Sequence, residues 1–284
     1  MPRHVVCLTY DFDALSLPIA KGATSPTALS RGEFGLVGVE RIRLLLRDRR
    51  IPATFFVPGH TIESFPGSVA PLVEAGHEIG HHGWTHRRPN DLSQAEETEE
   101  LQRGIAAIRS MTGAAPAGYR SPSWDLSPHT LPLLVEHGFA YDSSLMGHDY
   151  RPYRPRLGDQ APLLESATFG RETPLVEMPV SWSLDDYPHF EWSALSGGGL
   201  NPGLAHWRGV VDNWTADFDY MREILDWGVI TYTFHPFVSG RGHRMKAMAA
   251  LIDHLAEAGA VFLTMAEAAR EAAGIIGPPA PAAG

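Results

Sequence analysis

Four short segments of this chain carry the residue types that metal-assisted hydrolysis needs. They are Thr9-Tyr10-Asp11-Phe12-Asp13, His82-Gly83-Trp84-Thr85-His86, Gly118-Tyr119-Arg120-Ser121-Pro122 and Thr231-Tyr232-Thr233-Phe234-His235-Pro236. Asp11 and Asp13, two residues apart, share one face of a strand, and at its end both can turn toward one cation. A loop-capping Asp pair fits the same spacing. His82 and His86 stand at i,i+4, which on a helical turn sets their Cβ atoms about 5–6 Å apart. Gly83 disfavours a long helix, so a single turn after a strand is expected. With Asp13 the pair forms a two-His, one-carboxylate set, the composition of zinc sites that keep a position open. A surface His-rich turn is the alternative in a chain with 14 histidines.

His81 is expected to face away, in the core or in support of the ligands. Arg120 could hold Asp11 ionised and oriented, as a base requires, or form an ordinary structural ion pair. His235 interrupts an apolar run. Its place at a strand mouth favours a general acid, and a satisfied core histidine is the plain alternative. Trp124, Trp182, Tyr187 and Trp192 lie in or beside irregular stretches, where they could wall a pocket or simply pack.

The elements that must position these groups alternate along the chain. Strands are expected at Val5–Asp11, Ala53–Val57, His77–His81, Ala117–Arg120, Phe139–Leu145, Val176–Trp182, Val229–His235 and Ala260–Leu263. Helices are expected over Val39–Arg49, Val69–Ala75, a segment opened by the Ser93/Glu96 capping box, Ser127 to Glu136, 207–226 and 244–258. Residues 16–38, rich in Gly, Ser and Pro, read as a loop, as do 147–173 and 183–205, which are long enough to cover a site. About eight strands separated by helices imply a parallel α/β sheet. The candidate residues fall at the C-terminal ends of the first, third, fourth and seventh strands. A (β/α) barrel, distorted or incomplete, gathers those ends at one mouth, where such folds keep their sites.

A net charge of −10 argues against a nucleic-acid surface or anionic membrane as partner. The lone Cys7 excludes a disulfide within the chain and suits a reducing compartment. No apolar stretch approaches a membrane span and no leader is evident, so a cytoplasmic protein is expected. One domain over residues 1–275 and a disordered tail over 276–284 are expected.

In motif order, over Thr9 to about Thr264, the chain resembles the polysaccharide deacetylase (NodB-homology) superfamily. The resemblance implies a distorted (β/α) barrel that hydrolyses amide bonds with one divalent metal, usually Zn2+. It implies Asp11 as base, Asp13, His82 and His86 as metal ligands, Arg120 as orienting group and His235 as acid. It also implies a homo-oligomer, with a tetramer among the forms. Phe12 between the aspartates and Gly83 after the first metal histidine depart from the usual motifs. They resemble a cytoplasmic branch of peptidoglycan deacetylases, allantoinase-like enzymes and cyclic-imide hydrolases. From the acidic composition and the long loops, a small cyclic imide or ureide is the favoured substrate. N-deacetylation of an N-acetyl sugar or peptidoglycan is the alternative, and a metal- or sugar-binding protein without turnover is a rival of another class.

Overall fold

The computed structural model describes residues 2–191, 193–194, 200–201 and 203–280. Trp192 and residues 195–199 of the covering stretch expected from the sequence lie outside the described residues. The strands are β1 (Arg3–Asp11), β2 (Thr54–Val57), β3 (Glu78–His81), β4 (Gly118–Tyr119), β5 (Tyr141–Asp142), β6 (Arg156–Leu157), β7 (Arg171–Glu172), β8 (Val176–Glu177), β9 (Ser193–Ala194), β10 (Leu200–Asn201), β11 (Trp227–Phe234) and β12 (Val261–Phe262). The helices are α1 (Ser16–Ala20), α2 (Pro26–Arg49), α3 (Gly59–Ser64), α4 (Pro66–Glu74), α5 (Gln94–Thr112), α6 (Thr130–Glu136), α7 (Asp186–Phe190), α8 (Trp207–Ile224), α9 (Pro236–Ser239), α10 (Gly242–Glu257) and α11 (Met265–Ile276).

Val5, Val6, Cys7, Leu8 and Tyr10 of β1 are all buried. A strand covered on both faces carries such a run, and a parallel sheet wrapped by helices provides that cover. β11 pairs with β1 in parallel from Arg3↔Trp227 to Tyr10↔Phe234. On the other edge β12 takes Val5 and Val6, and β2 takes Thr9 to Asp11. The sheet runs β11-β1-β2-β3-β4-β5-β8. A single parallel bridge, Asp185 to Thr233, brings the chain after β8 back to β11 at the mouth. The result is a distorted, incompletely closed (β/α) barrel. Two small antiparallel ladders, β6 with β7 and β9 with β10, stand apart from it.

Several elements differ from the expectation. Residues 16–38 are largely helical, because Ser25 caps α2 by accepting from the Ala28 N–H and Pro26 sits at its first position. Gly22 serves a turn, with φ 67°, whereas Gly32 and Gly38 serve close packing: a Cβ on Gly38 would lie 1.9 Å from the Pro236 carbonyl oxygen. Helix α6 starts at Thr130 rather than at Ser127, whose hydroxyl instead accepts from the His129 N–H and donates to Glu97. The strand expected over Phe139–Leu145 shortens to β5. Ser144 and Leu145 send their N–H groups to the Glu177 carboxylate, which takes them out of the ladder. Trp182 lies on a 3₁₀ turn, Trp182–Leu184, rather than on a strand. Helix α11, absent from the expectation, carries a Thr264/Glu267 capping box and buries Met265, Ala268, Ala269 and Ala272.

Candidate active site

β1 ends at Asp11, and Phe12 continues beside β2 through a 2.9 Å hydrogen bond to the Phe56 carbonyl. Phe12 is buried in the core, and the aspartates on either side of it reach the site. The main-chain carbonyl of Asp13 accepts from the Ser16 N–H, Ser16 Oγ and Thr61 Oγ1, so the second carboxylate is held from its own backbone.

The segment from His82 to His86 is a tight bend, not the helical turn expected from its spacing. Gly83 and His86 both have positive φ, 71° and 56°. The N–H groups of Trp84 and Thr85 donate to Glu100 on α5, which sets the bend from outside. Glycine at 83 is therefore a backbone requirement. The two imidazoles stand 5.0 Å apart at 79°. His82 Nδ1 is 2.8 Å from the Arg120 carbonyl, an acceptor only, so Nδ1 carries the proton and Nε2 the lone pair. That Nε2 lies 3.5 Å from Asp13 Oδ1, and His86 Nε2 lies 3.8 Å from the same oxygen. His81, as expected, serves the core: Nε2 donates to the Leu101 carbonyl and Nδ1 accepts from the Gly83 N–H.

Asp13 Oδ1, Asp13 Oδ2 and His82 Nε2 are buried without a hydrogen-bond partner. Burial pushes the Asp13 carboxyl up to about 8 and lowers both imidazoles. Three convergent ligand atoms, within 4.8 Å of one another, thus lack the charge that would satisfy them. One carboxylate and two neutral imidazoles fit a divalent cation.

Asp11 lies beside this triad, its Oδ2 3.8 Å from His82 Nε2. Arg120 is fully buried and donates from Nη1 to Asp11 Oδ1 at 2.9 Å and to Thr9 Oγ1 at 2.8 Å. Its guanidinium also lies over the Phe56 ring. Burial alone would raise the Asp11 carboxyl, but the Arg120 charge holds it below the usual carboxylate value. The arrangement keeps Asp11 ionised.

His235 stands at the end of β11, and its Nδ1 is 2.8 Å from Asp186 Oδ1. The second Asp186 oxygen accepts from the His235 N–H at 3.0 Å and from Ser239 Oγ. Asp185 Oδ1 is 3.7 Å from the same Nδ1. Burial works against the imidazolium, yet Asp185 and Asp186 raise His235 well above its ordinary value. This second cluster of ligand types is therefore a protonated imidazole on two acids, with Nε2 left as its free ring nitrogen. The sequence reading missed both aspartates, placing them in a covering loop. The adjacent pair Asp185-Asp186 was the available signal.

Tyr187 lies 5.6 Å, ring to ring, from His235, and its N–H donates to Asp185. Trp124 stacks on Trp182 at 4.1 Å, with Ser123 and Trp124 both at positive φ. Strained backbone of this kind clusters at functional sites.

A family model for polysaccharide deacetylase matches residues 37–141. A peptidoglycan deacetylase of Helicobacter pylori is 35% identical over 88% of this chain and 89% of its own. The chain belongs to the polysaccharide deacetylase family. A peptidoglycan deacetylase-like protein of Gibberella zeae is 29% identical over 95% of this chain and 86% of its own. A solved structure assigned to the polysaccharide deacetylases, from Mycobacterium smegmatis, superposes at TM-score 0.84 with 33% identity, covering 100% of this chain and 95% of that one. An allantoinase structure shares the fold at TM-score 0.77 with 20% identity, over 96% and 91% of the two chains. The protein is a hydrolase of amide C–N bonds. The comparisons favour the deacetylase alternative over the cyclic imide or ureide preferred from the sequence, since the allantoinase likeness speaks to fold alone.

Proposed function

We infer that this polysaccharide deacetylase removes the acetyl group from an N-acetylated sugar of the peptidoglycan class. The carrying observation is the triad of Asp13, His82 and His86 with its unpartnered atoms, set between an ionised Asp11 and a protonated His235. The names of the relatives that match along nearly the whole chain support the substrate class. A divalent cation held by Asp13, His82 and His86, zinc for this donor set, supplies carbonyl polarisation and lowers the pKa of water toward ~7. Asp11, held by Arg120, takes the proton of the attacking water. His235, held protonated by Asp186, gives a proton from Nε2 to the leaving nitrogen, so that acetate and a free amine result. Tyr187, whose ring lies beside His235, would line the sugar's place, and Trp124, packed on Trp182, is a further candidate to contact it.

The test sets two substrate panels against one metal-loaded sample. Acetate release from chitooligosaccharides and peptidoglycan is expected, with little opening of succinimide, dihydropyrimidine-like rings or allantoin. Ring opening without acetate release would overturn the substrate class in favour of the cyclic-imide reading.

A further inference from the structure

Arg120 has a second set of partners on the side that does not face Asp11. Its Nε donates to the Ser143 carbonyl at 3.2 Å and its Nη2 to Ser143 Oγ at 3.0 Å. The neighbouring Ser144 Oγ accepts from the Ser121 N–H at 2.9 Å. This short turn is itself held by two acids that the reaction above leaves unused. Asp142 Oδ1 accepts from Ser144 Oγ at 2.7 Å, and Glu177 Oε1 accepts from the N–H groups of Ser144 and Leu145 at 3.0 and 2.9 Å.

Asp142 and Glu177 are register partners on β5 and β8, both fully buried. Their remaining oxygens, Asp142 Oδ2 and Glu177 Oε2, have no donor among the described residues. Two facing carboxylates in a dry interior cannot both stay ionised, so one retains its proton. Register pairing sets the two side chains on the same face of neighbouring strands, so the retained proton can lie between them. The Arg120 charge acts on Asp142, and Tyr153 is a further titratable group facing both acids.

We propose that Asp142 and Glu177 share one proton, and that this singly charged pair is a positioning device for Arg120 and, through it, for Asp11. Burial, which pushes Asp142 up to about 6 and Glu177 well above its usual range, agrees with one proton retained by the pair. One charge balances the guanidinium from behind. Two would draw it off Asp11, and none would leave the guanidinium unbalanced on that side. The link to Asp11 rests on the deacetylase reading, whereas the shared proton does not.

The shared proton has a signature in paired amide variants. In Glu177→Gln an amide N–H stands where the proton stood, facing Asp142. In Asp142→Asn the amide donates to Glu177, which then ionises. Each single variant is expected to lower kcat only slightly. In the double variant the two amide oxygens stay on the donors of the turn, which sets the two NH2 groups against each other. Its kcat for acetate release is expected to fall roughly tenfold below the product of the singles, a coupling typical of one hydrogen-bonded network. KM and metal content should hold. Infrared difference spectra of metal-loaded protein at neutral pH should show a protonated-carboxyl band in the wild type that is absent from Glu177→Gln. The same band in both proteins, or a double variant equal to the product of its singles, overturns the proposal. The infrared arm needs no substrate and no double variant. Failure of the deacetylase reading, or of the double variant to fold, therefore leaves it decisive.

Discussion

At the scale of single residues, the site depends on partners that fix protonation. Asp11 is buried yet ionised because Arg120, His82 and His235 together outweigh its desolvation, and His235 is buried yet protonated because Asp185, Asp186 and Asp11 outweigh its own. The two opposite shifts agree with the roles proposed, Asp11 as base and His235 as acid. The sign of the His235 linkage follows from its raised folded value. The stability it contributes is fully present below the ordinary imidazole value of 6.5 and is lost as pH rises through the folded one. Asp186→Asn removes a raising partner. The alkaline limb of the kcat profile should move to lower pH, and kcat at neutral pH should fall by roughly tenfold to a hundredfold. The alkaline loss of unfolding stability should begin earlier as well. Metal content should not change. Rate profiles and urea unfolding across pH check this, and an unmoved alkaline limb would return His235 to a packing role.

At the scale of elements, the long strands β1 and β11 carry Asp11 and His235 to the mouth, and close backbone approaches fix the segments that follow them. Helix α2 carries glycines at 32, 35 and 38, and it packs on α9, the turn that begins directly after His235. A Cβ at Gly38 would meet the Pro236 carbonyl at 1.9 Å, whereas one at Gly35 would make only ordinary contacts from 3.6 Å outward. Gly38→Ala should cost about 1–3 kcal/mol as an overpacked contact and lower kcat by moving His235. Gly35→Ala should be neutral or stabilising by about 0.4–1 kcal/mol, since helical backbone suits alanine. Thermal unfolding with parallel rate measurements separates them. Equal effects from both variants would mean that the close approach at Gly38 does not hold α9.

For the molecule as a whole, the incomplete barrel gathers the ends of β1, β3, β4 and β11 at one mouth, and two buried oxygens of Asp13 and one nitrogen of His82 remain unsatisfied there. A ligand that satisfies only the folded state stabilises it by mass action. Zinc at about 100 times its dissociation constant should add ~2.7 kcal/mol to the unfolding free energy. Asp13→Asn should abolish that gain, because it removes a ligand. Asp11→Asn should retain it, because Asp11 serves as base. Urea unfolding with and without zinc decides between the roles. Loss of the gain in Asp11→Asn would make Asp11 a ligand.

The sequence by itself determined the class of reaction and a parallel sheet wrapped by helices. The types and order of Asp11, Asp13, His82, His86, Arg120 and His235 are local facts, and buried parallel strands announce themselves as apolar runs such as Val5–Leu8. Their convergence was legible because polar residues recurred at strand ends. Only the tertiary structure decided what the glycines and acids were for. Gly32, Gly35 and Gly38 read as loop because turn-forming and close-packing glycines look alike until the neighbouring backbone is in place. The bend that joins His82 to His86 depends on Glu100, and the charge on His235 on Asp186. The acids behind Arg120 come from strands 35 residues apart, Asp142 to Glu177. Such pairings arise when the sheet folds, because distance along the chain carries no record of proximity across it.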